Sequence, residues 1–368
     1  MPDFRSDTVT KPTPAMRAAI AAAEVGDDVF SDDPTINRLQ HYAAELLGYE
    51  DALFAASGTQ TNLMALLSHC ERGDEAIVGQ LWHTYRWEAG GMAVLGSIQP
   101  QPLEHAPDGT IPLESIEAAI KPDDSHFART RLIGMEDTTG GRVLPMDYLR
   151  EVRALATRRG LATHLDGARL FNAAVEVARR RRDGERDGDR AGGDTTDPRA
   201  VAREICASFD SVSVCLSKGL GAPVGSLLLG SKPFIARARR WRKMLGGGMR
   251  QVGLLGAAGL HALEHHVDRL AEDHDNARVL AQGLAELGRR HGGLSVEPPQ
   301  TNILFVKVDD AIAEPFAAHL AAHGVRTTGS TGRYGAGLVQ RWVTHLDVSR
   351  DDVDEAIAIA GRFFEQRR

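Results

Sequence analysis

Three short stretches carry side chains whose types and settings suit covalent chemistry on a small molecule. The first is Ser217-Lys218-Gly219, which follows the apolar run 211–216. A lysine at such a strand end often packs its stem and leaves the ammonium in water. When desolvated, the same side chain becomes a Schiff-base nucleophile. The second stretch is His164-Leu165-Asp166-Gly167-Ala168-Arg169, just past the apolar run 162–165. Alone, Asp166 reads as a turn or cap residue. At the carboxyl end of a strand, where α/β sheets place their ligands, it suits a cationic heteroatom, and Arg169 suits an anionic group. The third stretch is Ser57-Gly58-Thr59, between the apolar run 52–55 and a helical pattern over 60–67. Free N–H groups at a helix start make a seat for phosphate.

An amine for an aldehyde, a carboxylate for a pyridinium nitrogen and a helix start for a phosphate are together what pyridoxal 5'-phosphate requires. The elements that must position them follow from pattern. Apolar runs of strand length recur at 75–79, 131–135, 162–165, 211–216 and 224–229, with helical patterns between many of them. This alternation predicts an α/β domain with a mostly parallel sheet. Helical patterns over 12–23 and 34–47 precede it. Strand-like 303–308 and 338–344 and helices near 315–323 and 349–364 then predict a smaller α+β unit. We expect an arm at 1–14, a large domain at 15–246 and a small C-terminal domain at 247–368. Residues 179–199 hold seven arginines, six acidic residues and four glycines, with almost nothing apolar. The region near 178–198 therefore reads as a polar insertion forming a long solvated loop.

Composition narrows the function class. With 368 residues, 42% hydrophobic and 25% charged, the chain has the make-up of an ordinary globular protein. A net charge of −7 gives no general grip on nucleic acid or an anionic membrane, and the arginines of 179–199 are nearly cancelled by their acidic neighbours. Three scattered cysteines build neither a disulfide framework nor a zinc ribbon. No uncharged run approaches the roughly 18 apolar residues of a membrane span. The charged start, Met-Pro-Asp-Phe-Arg-Ser-Asp, does not read as a secretion signal, so a cytoplasmic location is expected. One motif competes: His261-Ala262-Leu263-Glu264-His265 fits the His-x-x-Glu-His pattern of inverted zinc peptidases. Its short length and charged surroundings favour a solvated helix face, and no metal is expected.

Agreement extends to other unusual stretches: Phe4-Arg5-Ser6-Asp7-Thr8-Val9-Thr10, Gly26-Asp27-Asp28-Val29, Asp33-Pro34-Thr35, Arg242-Lys243-Met244, Gly248-Met249-Arg250-Gln251, and Arg341 with Val343-Thr344-His345. With the three stretches above, they carry a resemblance, over nearly the whole chain, to the threonine aldolases. These are pyridoxal-phosphate lyases of the aspartate-aminotransferase-like fold (fold type I). The resemblance implies reversible retro-aldol cleavage of L-threonine or L-allo-threonine, and of related β-hydroxy-α-amino acids, to glycine and an aldehyde. It implies that Lys218 forms the Schiff base, that Asp166 pairs with the ring nitrogen, and that Gly58 and Thr59 bind the phosphate with Ser217 as a helper. Arg250 matches the family's phosphate-binding arginine, contributed by the same or a neighbouring subunit. Ser6, Arg169 and Arg341 would hold the substrate carboxylate. His83 matches the histidine stacked on the ring and His126 the second histidine near the substrate hydroxyl, so these two are the expected proton acceptors. A homotetramer built as a dimer of dimers is implied as well. The chain departs from the family at Phe30 and Ser31, where tyrosine and glycine are common, and at Asp137, where asparagine is usual.

Overall fold

A computed structural model gives the fold and describes residues 1–185, 195–328 and 338–367. Its first helices begin where the sequence supplies caps. Thr13 accepts from Met16 N–H ahead of α1 (Pro14–Ala21), and Asp33 accepts from Ile36 N–H ahead of α2 (Pro34–Leu47). Ser57 accepts from Gln60 N–H ahead of α3 (Gly58–His69). Each cap satisfies one orphan donor, and proline at the first helical position of α1 and α2 gives up none.

The large sheet contains β1 (Asp51–Ala55), β2 (Asp74–Gly79), β3 (Gln99–Leu103), β4 (Arg129–Glu136), β5 (Ala162–Gly167), β6 (Ser211–Cys215) and β7 (Ser226–Gly230). Their order is β1-β7-β6-β5-β4-β2-β3. Strands β2 to β6 pair in parallel, and β7 runs antiparallel to both β1 and β6. Thus β1, β2, β4, β5 and β6 all point the same way and deliver their carboxyl ends to one edge. This is the α/β, mostly parallel sheet expected from the sequence. Strand β3 was not legible in Gln-Pro-Gln-Pro-Leu; it tolerates Pro100 and Pro102 because it pairs with β2 alone, at the sheet edge.

The smaller sheet, β10 (Leu338–Val343), β9 (Ile303–Val308) and β8 (Leu294–Val296), is antiparallel in that order. The expected domain boundary between 246 and 247 does not coincide with the change of core. Ala258, Leu260 and Leu263 of the helix Gly253–His265 belong to the apolar cluster around the large sheet. The second cluster takes in Ala277 and Leu280 of the helix Leu270–His291. We therefore place the boundary inside that long helix. Phe4 is fully buried in the second cluster, its ring stacked 5.5 Å from Trp342, and its backbone bonds to Arg326 and Val343. The first residues thus bind the small unit.

The polar region near 178–198 begins as helix, not loop: Leu170–Arg182 runs into its first residues, with Ala178 buried. Arg179 and Arg180 pair with Glu176, and Arg181 pairs with Glu204. Residues 186–194 lie outside the described ones. Among the described residues no helix is long and apolar enough to cross a membrane.

Candidate active site

The shared direction of the strands assembles the site. His83 follows β2 by four residues, Glu136 ends β4, Asp166 lies near the end of β5, and Lys218 follows β6 by three. The start of α3 follows β1 at the same edge. This is the crevice at the carboxyl ends where open α/β sheets bind ligands.

Asp166 is buried. Its Oδ2 accepts from Asn62 Nδ2 at 2.8 Å and its Oδ1 from Ala168 N–H at 3.1 Å. A carboxylate offers about four acceptor positions, so capacity remains for a cationic N–H. His83 opens a short helix, His83–Arg86; its backbone N–H donates to Glu136 Oε2 at 2.5 Å and its Nδ1 bonds Glu88 Oε1 at 2.8 Å. Its Nε2 has no hydrogen bond among the described residues. The ligating atoms of His83, Glu88 and Asp166 lie within 4.8 Å of one another. Among the described residues this is the sole such convergence of three; His261, Glu264 and His265 do not bring their ligating atoms together in the same way. Glu264 is instead paired with Arg38 at 3.1 Å.

Crowding of acids sets the charge states. Burial, reinforced by the charge of Asp166, pushes Glu136 up to about 8. Burial also raises Glu88, against the hydrogen bond from His83. The bond to Glu88 in turn raises His83 above its ordinary value, against the effect of burial. Lys218 is half-buried and sits within electrostatic reach of Asp7, His83 and Glu136. Its carbonyl accepts from Thr10 Oγ1 and Gly221 N–H, which fixes the loop that carries it.

Arg169 is held by a residue to which the sequence reading gave no role. Asp7 is fully buried and takes Arg169 Nε at 2.8 Å and Nη2 at 2.6 Å, with Asn302 Nδ2 at 3.3 Å. Burial works to raise this carboxyl, but the Arg169 guanidinium and its hydrogen bonds hold it well below the usual carboxylate range. Guanidinium has five N–H donors, so Arg169 keeps donors for another anion. Ser6 stands beside it, its Oγ accepting from Thr8 N–H. Arg341 lies on β10 opposite Phe305. By strand alternation it shares a face with Val339, which lines a cavity of about 420 Å³ together with Leu81, Thr139, Gly140 and Phe305.

The donor set fits pyridoxal phosphate on four observations. Asp166 has spare acceptor capacity. The N–H groups of Gly58 and Thr59 find no acceptor among the described residues, as the first positions of a helix dictate. A Cβ placed on Gly58 meets only Ser226 Oγ, at 3.7 Å, so the space above it is open to a ligand. Ser213, the register partner of Asp166 on β6, has a buried hydroxyl with no partner among the described residues. Ser217 is half-buried beside this group, its Oγ 3.7 Å from Cys215 Sγ.

Two expected residues are not gathered with these. His126 is in the turn just before β4, beyond the end opposite to Glu136, with its side chain 83% exposed and bonded to Asp124. The chain's own fold therefore does not bring His126 to the reacting end of the site. Arg250 is likewise exposed, its guanidinium 3.4 Å from Asp27. Conversely, the sequence reading missed Asp7, Asn62 and Glu88. The departure at Ser31 has a backbone counterpart: its φ is +62°, in the left-handed region that favours glycine. Asp137 is buried and accepts from Leu144 N–H at 3.2 Å.

Residues 3–311 match the model of the beta-eliminating lyase family. A low-specificity L-threonine aldolase of Escherichia coli K12 is 51% identical over 358 residues, covering 97% of this chain and 98% of that protein. A probable low-specificity L-threonine aldolase 2 of Arabidopsis thaliana is 42% identical, covering 98% and 97%. Among solved structures, the threonine aldolase of Leishmania major superposes with a TM-score of 0.78 at 21% identity, covering 99% of this chain and all of that one.

Proposed function

Since the chain belongs to the beta-eliminating lyase family and is about half identical to a low-specificity L-threonine aldolase, we propose that it cleaves L-threonine and L-allo-threonine reversibly to glycine and acetaldehyde, using pyridoxal phosphate. The observation that carries this reading is the gathering of Lys218, Asp166 and His83 at one sheet edge, beside the open N-terminus of α3. Pyridoxal phosphate, when bound, supplies a sink for the electrons of the breaking Cα–Cβ bond.

The chain's own residues do the rest. With the cofactor bound, Lys218 would hold it covalently, Asp166 would accept from its ring N–H, and Gly58 and Thr59 would donate to its phosphate, with Ser217 alongside. Arg169, fixed by Asp7, offers its remaining N–H groups to the substrate carboxylate, joined by Ser6 and by Arg341 from the small unit. Three anchors on one carboxylate set the orientation of the bond to be broken, which is catalysis by positioning. His83 is the proton acceptor for the β-hydroxyl. Its Nδ1 is tied to Glu88, which leaves Nε2 to receive the proton, and its backbone is fixed by Glu136.

The reading extends to a homotetramer in the cytoplasm. Phe30, Val94, Leu95 and Met244 are exposed apolar side chains that contact between copies would cover. In such an assembly Arg250 and His126 serve a neighbouring subunit's site. The test is an assay of the cofactor-loaded protein on L-threonine, L-allo-threonine, their D-isomers and phenylserine. Glycine and an aldehyde are expected in equal amounts from the L-substrates. A loaded protein that releases neither from any substrate contradicts the assignment.

A further inference from the structure

Beneath α3 runs a line of polar groups that the reaction scheme does not use. On α3, Asn62 and His69 are seven residues apart and share a face. Opposite them, β5 presents His164 and Asp166, and β6 presents Ser211 and Ser213, at paired positions of the ladder. His69 Nε2 lies 2.7 Å from Ser211 Oγ, and Ser211 Oγ lies 2.9 Å from His164 Nδ1. His164 Nε2 lies 3.2 Å from Asn62 Oδ1. Asn62 Nδ2 reaches Asp166 Oδ2 at 2.8 Å and Glu88 Oε1 at 2.9 Å.

The direction of every bond follows from its far end. Two carboxyl oxygens accept, so Asn62 must turn its amide nitrogen to them and its oxygen to His164. His164 must then carry its proton on Nε2. Burial, with His69 nearby, pushes His164 down to about 3, and burial pushes His69 down to about 4, so both rings are neutral near pH 7. A neutral ring protonated on Nε2 has a bare Nδ1, which accepts from the Ser211 hydroxyl. The Ser211 oxygen in turn accepts from Nε2–H of His69.

We infer that Asn62 and His164 are positioning residues for Asp166: with Ser211 and His69 they form a one-way chain of donors that fixes one carboxylate oxygen of Asp166 and leaves the face toward the ligand to accept the ring N–H. The inference rests on the reading of Asp166 as the partner of the pyridine nitrogen. Asn62 is the hub, because the same amide also holds Glu88 and so the tautomer of His83.

The test uses the full-length protein with and without pyridoxal phosphate. In the unsubstituted protein, 15N-histidine NMR should show His164 as the Nε2–H tautomer from pH 6 to 8, and a protonated ring or the Nδ1–H tautomer overturns the chain of donors. Asn62→Ala and His164→Leu should each raise the dissociation constant of pyridoxal phosphate about ten- to a hundredfold, the worth of one hydrogen bond to a charged group. In an Asp166→Asn background the same two changes should matter less than about twofold. Equal effects in both backgrounds mean a merely structural role and overturn the inference. If Asp166→Asn itself leaves cofactor affinity and turnover unchanged, the reading of Asp166 fails instead. Should the variants not fold, the tautomer measurement still decides.

Discussion

Replacing Asp7 by asparagine probes the joint between the arm and the carboxylate anchor. Asp7 is fully buried and makes two charge-assisted bonds to Arg169, at 2.6 and 2.8 Å, while the Arg169 side chain is only 13% exposed. Hydrogen bonds to charged groups contribute about 1.5–3 kcal/mol each. An amide can still accept one bond, but its NH2 group then faces a guanidinium donor. The variant loses one bond, gains a donor–donor contact and leaves a buried cation uncompensated. Breaking a buried pair from one side costs about 3–5 kcal/mol, and that is the expected loss. The assay is urea unfolding at one fixed protein concentration, since any assembly makes stability concentration-dependent. Arg169→Met completes a double-mutant cycle. The double variant should be at least about 2 kcal/mol more stable than the sum of the single losses predicts, because removing both partners strands no charge. The pH dependence has a definite sign. Asp7 lies below its ordinary value of 3.8 in the folded chain, so its contribution is present above that pH and is lost as pH falls below it. Asp7→Asn should therefore be less sensitive to acid in that range. Single effects that add to within about 0.5 kcal/mol would refute the argument that these two groups act as a pair.

Two more changes follow from the same geometry. Glu88→Gln removes the charge that raises His83, so the acid limb of kcat/KM for L-threonine should move to lower pH; an unmoved limb contradicts the role of His83 as the proton acceptor. Ser31→Gly relieves a left-handed backbone at φ +62° and should stabilise the chain by up to about 1 kcal/mol in urea unfolding, whereas a loss of stability would show that the hydroxyl matters more than the backbone.

The parts legible in the sequence are those whose signal is local. Strand ends, caps and short motifs lie within a few residues of each other, so Lys218, Asp166 and the start of α3 could be picked out together. What was missed depends on partners far apart in the chain. Asn62 meets Asp166 across 104 positions and Asp7 meets Arg169 across 162, and no local pattern marks either pair. A signal did exist in β5 and β6. His164, Asp166, Ser211 and Ser213 are polar at alternate positions of β5 and β6, and all four are buried. Polar groups on one face of a buried strand need partners, and α3 supplies them for His164, Asp166 and Ser211. The change of apolar core was not legible for a related reason: Gly246-Gly247-Gly248 interrupts the helices at a turn near α3, while the cores change farther along the chain. His126 was expected on resemblance alone, and the fold of one chain leaves it in solvent.

The central claim is that Lys218 is the residue that binds the cofactor covalently. Borohydride reduction of the protein loaded with pyridoxal phosphate, followed by peptide mass mapping, tests it directly. The account predicts one phosphopyridoxyl group per chain, on Lys218, and none in Lys218→Ala, which should also lose its visible absorbance and nearly all cleavage of L-threonine. A label on another lysine, or a Lys218→Ala variant that keeps both absorbance and turnover, would contradict it.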